Sequence, residues 1–143
     1  MAVTGNMSYY LKRKVADLAL GAQAYTPPTG LFIGLWTAAI DFSASGAQAG
    51  EVNGTNYTRF SATNNLVNWS TALTASGTAY KFNNVDFVFP TAQGTWGTAS
   101  HFGIVDAATE GNMLYWGELV TAKAMGSGDV IRFLSGGIAI TLT

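Results

Sequence analysis

Apolar and polar positions alternate along much of the chain and predict β-strands. In the last run, Ile138, Ile140 and Leu142 alternate with small or hydroxyl-bearing residues, which is the pattern of a strand with one face on a core. Further short runs, bounded by Gly, Pro or Asn, predict strands at 31–36, 57–63, 66–71, 82–89, 120–124 and 130–134. About eight short strands with Gly-rich turns predict an all-β fold, an antiparallel β-sandwich of the jelly-roll type.

A helical spacing of apolar residues occurs near the N-terminus. Apolar residues recur every three or four positions from Leu11 to Ala19, with Ser8 placed to cap the helix and Gly21 placed to end it. Residues 1–6 are small and polar and predict a short arm with no obvious way to bury itself. We therefore expect the sandwich to carry one short N-terminal helix preceded by an arm.

The segment 94–117 predicts a β-hairpin. Its two apolar runs, 101–106 and 113–117, are separated by small and polar residues that end in a Gly-Asn pair. Runs of this length that are rich in β-branched and aromatic residues favour strands over a helix, which needs roughly ten or more residues of helical periodicity. The segment also contains the single histidine of the chain, so it is the first place to look for chemistry.

Ser100, His101 and Asp106 offer a hydroxyl, an imidazole and a carboxylate. In an extended strand Ser100 and His101 point to opposite faces, and Asp106 lies roughly 15 Å or more from His101, so we expect no catalytic triad. Asp106 and Glu110 with nearby carbonyls offer the donors of a calcium loop, but the D-x-D-x-D-G spacing is absent, and bracing of the turn by Asp106 is favoured. We expect a protein that is not an enzyme, with no catalytic, cofactor-binding or metal-binding residues.

Few of the residues are charged. Of the 143 residues, 48% are hydrophobic and 10% are charged, against roughly 25% charged residues in an average soluble protein. A single domain over residues 1–143, with the arm and helix in residues 1–21, is therefore expected to expose apolar surface, which usually marks contacts with partners. We expect a homo-oligomer, and specifically a homotrimer.

Several classes of partner are excluded by the same sequence. The net charge is −1 and the basic residues are scattered apart from one triplet, so no basic face for nucleic acid is expected. No apolar run approaches the roughly 20 residues of a membrane span, and no signal peptide pattern is present. We therefore expect no membrane contact and synthesis in the cytoplasm. The chain has no cysteine, which excludes disulfides and thiolate chemistry.

The aromatic residues and the basic triplet are the candidates for contacts. The four tryptophans are either a carbohydrate-stacking platform or core and interface anchors, and the second interpretation is favoured because large aromatic side chains more often fill cores and interfaces. The triplet is either the solvated face of the helix or a contact for an acidic partner. The candidate interface residues are Tyr9, Tyr10, Lys12, Arg13, Lys14, Trp36, Trp69, Trp96, His101 and Trp116.

The order of the motifs resembles a family of small bacteriophage proteins described as tail-fibre-like. The N-terminal half contributes the helix, LFIGLWTA at 31–38, EV at 51–52 and YTR at 57–59. The C-terminal half contributes GTWG at 94–97, HFGIVDAA at 101–108, GN and LYWG within 111–117, GDVIRF at 128–133 and the final strand. The resemblance covers nearly the whole chain from Met7, and it implies a fold and a virion setting rather than a chemistry.

The virion setting leaves two interpretations. A single small domain has room for only one part of a fibre, so a capsid decoration (cement) protein is favoured, bound to the major capsid protein as trimers at quasi-threefold positions. The alternative is a tail-fibre or adhesin module that contacts other tail proteins and offers the loop 38–54 and Trp69 to a host receptor or surface glycan. Residues 1–21 are the expected shell-binding element, and their deletion is expected to leave the sandwich folded.

Overall fold

The computed structural model describes residues 3–41 and 49–142, so residues 42–48 of the loop expected at 38–54 lie outside the described residues. The described residues form ten strands and one helix, which confirms the all-β class with a single helix. In chain order these are β1 (Val3–Met7), α1 (Tyr9–Gly21), β2 (Gly30–Trp36), β3 (Phe60–Thr63), β4 (Leu73–Ala75), β5 (Thr78–Phe82), β6 (Phe87–Val88), β7 (Gly97–Val105), β8 (Met113–Met125), β9 (Arg132–Phe133) and β10 (Ile138–Leu142).

Eight of the strands form one large mixed sheet. Their order is β3-β2-β7-β8-β1-β10-β5-β4, and β6 pairs with β9 in a separate two-stranded sheet. β1 and β10 are parallel, whereas the other neighbouring pairs of the large sheet are antiparallel. The sandwich is therefore uneven: the small sheet and α1 cover one face of the large sheet, here called the inner face, and we call the opposite one the outer face.

The main core lies between the inner face and the small sheet. Phe102 of β7 packs against Phe133 of β9 with ring centroids 6.0 Å apart, and Phe60 of β3 stacks on Phe87 of β6 at 4.8 Å. Phe87, Phe102 and Phe133 are completely buried. Burying a phenylalanine side chain contributes roughly 1.5–3 kcal/mol, so these contacts fix the small sheet on the large one.

The predicted hairpin is present and is the centre of the large sheet. β7 and β8 pair from Gly97 opposite Met125 to Val105 opposite Met113. The connecting loop turns at Glu110 and Gly111, which both have positive φ (54° and 79°). β8 continues through residues 120–124, so the strands predicted at 113–117 and 120–124 form a single strand.

The expected arm is instead a strand inside the large sheet, so the expectation that the sandwich stays folded without residues 1–21 is replaced by the opposite one. β1 lies between β8 and β10, and the Val3 N–H donates to the Gly137 carbonyl at 2.6 Å. Its sequence shows little apolar alternation because Thr4 and Asn6 face solvent and Gly5 is an inward position without a side chain. A Cβ on Gly5 would lie 2.6 Å from Ile140 Cδ1, so the close packing of the neighbouring strand requires glycine here.

The helix forms where the sequence predicts it but packs less than its pattern suggests. Ser8 caps it, since its Oγ accepts from the Leu11 N–H at 3.2 Å, and Gly21 is its last residue. Leu11 is the one buried residue of α1, whereas Val15 and Leu18 are 43% and 49% exposed. Hydrogen bonding of the cap, the buried Leu11 and the half-buried Tyr10 therefore hold α1 against the inner face.

The predicted strands between residues 57 and 89 differ from the structure in several places, and β3 begins only at Phe60. Residues 66–71 form a loop, because Asn65 Oδ1 accepts from the N–H groups of Val67 and Asn68 at 3.0 Å and so folds the backbone into a turn. The strand expected at 82–89 is interrupted at Asn83, whose buried side chain donates to the carbonyls of Val85 and Leu134 and accepts from the Ile138 N–H. The pattern predicts neither β4, whose three residues are all exposed, nor β5, whose five residues are all half-buried, because neither strand shows a core-facing alternation.

Candidate functional site

The most highly connected polar group of the described residues is a buried arginine. Arg59 Nε and Nη2 donate to the two carboxylate oxygens of Glu51, both at 2.7 Å, and Nη1 donates to the carbonyls of Ala107 and Glu110 at 2.7 and 2.8 Å. The Arg59 side chain is 3% exposed and that of Glu51 is 23% exposed. A bidentate pair of this kind is strong and directional, so Arg59 ties the segment after the long loop to the β7–β8 connection.

The same contacts occupy the oxygen atoms that a calcium loop would have used. The carbonyls of Ala107 and Glu110 already accept from the guanidinium of Arg59. The Asp106 carboxylate accepts from the backbone N–H and the side-chain amide of Asn112 at 2.7 and 2.8 Å. The described residues hold no group of three or more His, Cys, Asp or Glu side chains placed to bind a metal. The favoured role of Asp106, bracing of the turn, is the one that the structure shows.

Tyr57 extends this network into the core. Its hydroxyl accepts from the Leu35 N–H at 2.9 Å and donates to Glu51 Oε1 at 3.1 Å. Burial raises the pKa of Tyr57 above its ordinary value, and the nearby Glu51 carboxylate raises it further. Tyr57 therefore remains a neutral hydrogen-bonding group at physiological pH, which suits a structural role and not a proton-transfer role.

Three of the four tryptophans are core residues. Trp36 is fully buried and lies over Gly34 and Gly103, where a Cβ would be 2.8 and 2.9 Å from its Cζ3. Trp96 is 2% exposed and its Nε1 donates to a backbone carbonyl, and Trp69 is 5% exposed. These rings are not presented together on the surface of the chain, as a carbohydrate-stacking platform would require.

Ser100 and His101 lie closer together than the strand geometry predicts. Ser100 Oγ is 2.8 Å from His101 Nδ1, and the reason is an irregularity in the β7–β8 register between Ala99 and His101, which turns neighbouring side chains out of strict alternation. Asp106 is occupied at the far end of β7. The side chains of Ser100 and His101 are therefore adjacent, whereas Asp106 lies away from both of them, as predicted.

Of the candidate residues on α1, Tyr9, Lys12, Arg13 and Lys14 are exposed, whereas Tyr10 is half-buried and packs against the main core. Lys12 Nζ lies 5.6 Å from the ring centroid of Tyr9, and Lys14 Nζ lies 5.8 Å from that of Tyr10. These distances are within the range of cation–π attraction. Arg13 is exposed between them, so the helix presents a positively charged surface to solvent.

One side of the helix points away from the sheet and carries apolar residues. Tyr9, Arg13, Ala16 and Leu20 follow one another at spacings of four, three and four, which places them on one face, opposite the buried Leu11. All four are exposed, and Leu20 is 92% exposed. We call these four residues the outward helix face.

The outer face of the large sheet contains a broad depression over β8 and β1. It encloses about 560 Å³ and is lined by Thr4, Asn6, Trp116, Glu118 and Val120 together with the intervening backbone. Trp116 is half-buried and Glu118 is exposed, and Val120 is 77% exposed. We call these five residues the outer trough.

A second concave surface lies on the inner face beside α1. It encloses about 250 Å³ between Val15 of the helix, the Pro27-Pro28 segment and Trp69, with the side chain of Lys81 at its rim. This volume is a little below the roughly 300–1,000 Å³ of typical small-molecule sites. Its lining is mostly apolar and continuous with the main core.

The sequence reasoning missed the Arg59 network. Arg59 and Glu51 are eight positions apart on irregular segments, a spacing that carries no helical or strand signal. One signal was available: Arg59 stands between Tyr57 and Phe60 in a chain with few charges, and a charge among aromatic residues is buried only when it is paired.

The fold and its surfaces define a class: a small all-β protein whose buried charges brace loops, with one helix face and the part of the outer sheet face over β8 and β1 exposed. A family model described as podophage GP4 fiber I protein gp80 matches residues 6–141, and the chain therefore belongs to this family. The predicted membership of a tail-fibre-like phage family is confirmed, and the chain is a structural phage protein associated with the virion. A comparison with curated proteins found no match. No helix of the described residues is long and apolar enough to cross a membrane.

Proposed function

We propose that this protein is a non-enzymatic decoration protein of the capsid shell, which self-associates and stabilises contacts between shell subunits. The observation that carries the proposal is the topology. β1 and β10, from opposite ends of the described chain, are neighbours in the same sheet that holds the central hairpin, so the matched segment is one compact unit without an extended shaft. A compact unit of this kind can cover the joint between two shell subunits. When several copies associate, their individually weak contacts with the shell add up to strong binding.

The non-enzymatic part of the proposal rests on how the polar groups are used. Glu51, Asp106 and Asp129 all accept hydrogen bonds that hold loops in place, so Asp106, the carboxylate of the set considered for a triad, is engaged at the β7–β8 turn and not beside Ser100 and His101. Purified protein is therefore expected to leave host surface glycans intact. Glycan turnover that disappears in Asp106→Asn or Glu118→Gln would contradict this part.

The family description favours a second candidate function, a module of a tail fibre. In that role the protein would contact other tail proteins, and its exposed loops would face a host receptor or glycan. Among the loops, Leu66 and Val67 are 62% and 70% exposed, which gives the 64–69 region an apolar surface suited to a partner.

The number of copies in each particle separates the two functions. Quantitative mass spectrometry of purified virions, with the major capsid protein as the internal reference, measures this number directly. A decoration protein is expected in a fixed ratio to the shell subunits, at hundreds of copies, because it repeats with the shell symmetry. A handful of copies would contradict decoration and support the tail-fibre function, and complete absence from particles would contradict both.

A further inference from the structure

The two most exposed large hydrophobic side chains of the described residues lie on two separate bare surfaces. Leu20 is 92% exposed on the outward helix face, and Val120 is 77% exposed in the outer trough. Exposed apolar surface of this kind in a structural protein usually marks a protein contact. Each surface is therefore a candidate contact for a partner chain.

The two surfaces cannot cover each other within one copy. Leu11 anchors α1 on the inner face, where it belongs to the main core with Ile104 and Ile140. The outer trough opens on the opposite face of the same sheet, because Trp116, Glu118 and Val120 alternate with the inward Leu119 along β8. A contact between the helix face and the trough is thus possible only between two copies.

The charges of the two surfaces are complementary. The helix carries Lys12, Arg13 and Lys14 against a single acidic residue, Asp17, whereas the trough contains Glu118 and no basic residue. His101 is the cross-strand neighbour of Glu118. Two helices packed against each other would bring like charges together, which costs binding energy and selects against that arrangement.

We propose that α1 of one copy docks by its outward face in the outer trough of a second copy. Leu20 then packs on Val120, and Arg13, about 10 Å from Leu20 along the helix, reaches the edge of the trough between Glu118 and Trp116. The contact joins two different surfaces, so successive copies associate head to tail. They form a closed ring when the rotations between successive copies add up to a full turn. This inference deepens the self-association included in the proposed function and rests on it.

Cysteine cross-linking tests the contact directly, because the natural chain contains no cysteine. Leu20→Cys protein is mixed with Val120→Cys protein and oxidised, and the products are separated without reducing agent. A disulfide needs Cα atoms about 4.4–6.8 Å apart, so the proposal predicts a predominant mixed dimer. Val67→Cys replaces Val120→Cys in the matched control, since Val67 is 70% exposed but lies outside the trough, and little mixed dimer is expected from it.

Charge reversal provides a second readout that does not depend on cross-linking. Arg13→Glu and Glu118→Arg are each expected to weaken association about tenfold, since a favourable pair becomes a repulsive one. The variant that carries both reversals is expected to recover most of the loss. Sedimentation equilibrium gives the association constants, and thermal unfolding checks that these surface changes leave the fold intact.

Three results would overturn the inference, and they differ in whether they also refute self-association. An oligomer that gives no Leu20–Val120 cross-link, or one that cross-links mainly through Leu20 of both copies, refutes this contact and leaves self-association standing. A parent chain that is monomeric at micromolar concentration refutes both. Incorporation into virions is measured separately, so failure of the decoration function is not confused with failure of the contact.

Discussion

Replacing Arg59 with alanine removes the cation at the centre of the loop network and leaves Glu51 without its partner. Removing one member of a buried ion pair costs about 3–5 kcal/mol. Glu51 is 23% exposed and can regain water, and the freed carbonyls of Ala107 and Glu110 lie near the surface, so the lower end applies. We expect Arg59→Ala to lower the free energy of unfolding by about 3 kcal/mol, a large share of the roughly 5–15 kcal/mol of a typical domain.

Urea unfolding followed by tryptophan fluorescence, at one fixed protein concentration, measures this change. Lys14→Ala is the matched control, because Lys14 is exposed and its removal is expected to cost at most about 0.5 kcal/mol. The double variant Glu51→Leu with Arg59→Ala is expected to cost no more than Arg59→Ala alone, since it leaves no unpaired charge. A loss below about 1 kcal/mol in Arg59→Ala would refute the assignment of Arg59 as the brace of this region.

Three further predictions follow from the core and the sheet. Gly103→Ala is expected to lower the free energy of unfolding by about 1–3 kcal/mol, because its Cβ would lie 2.7 Å from Met113 Sδ. Gly94→Ala is the control and should be nearly neutral, since its Cβ would meet nothing closer than 3.5 Å. Equal urea midpoints for the two variants would contradict this packing. Burial raises the pKa of Tyr57, so the folded state keeps a proton that the unfolded state releases above the ordinary pKa of 10.0. The free energy of unfolding should therefore fall as the pH rises from about 9 to about 11, and it should fall less steeply in Tyr57→Phe. Deleting residues 1–7 removes β1 from between β8 and β10, so circular dichroism should show loss of cooperative unfolding, and an intact melting transition would show that β1 is dispensable.

The parts of the fold that sequence could predict are those whose apolar pattern faces the core on one side. β10 alternates strictly and lies at residues 138–142 as expected. The 94–117 hairpin is also present, because its two apolar runs are separated by residues that favour a turn. The N-cap at Ser8 was equally predictable, since capping depends on a local hydrogen bond to Leu11.

The remaining features depend on contacts between distant segments. Val3–Met7 lacks a strand pattern, because Gly5 is required by the approach of Ile140 and not by any local preference. The Arg59–Glu51 pair is set by where two irregular segments meet. The proximity of Ser100 to His101 comes from an irregularity in strand register, which the alternation of side chains cannot reveal.

The most direct test of the proposed function is the position of this protein in an image of the intact virion. A reconstruction that keeps the shell symmetry is expected to show compact β-rich density, of the size of the 8-stranded sheet and its small partner sheet, repeated over the joints between shell subunits. Density confined to the tail would contradict the decoration function and establish the tail-fibre alternative.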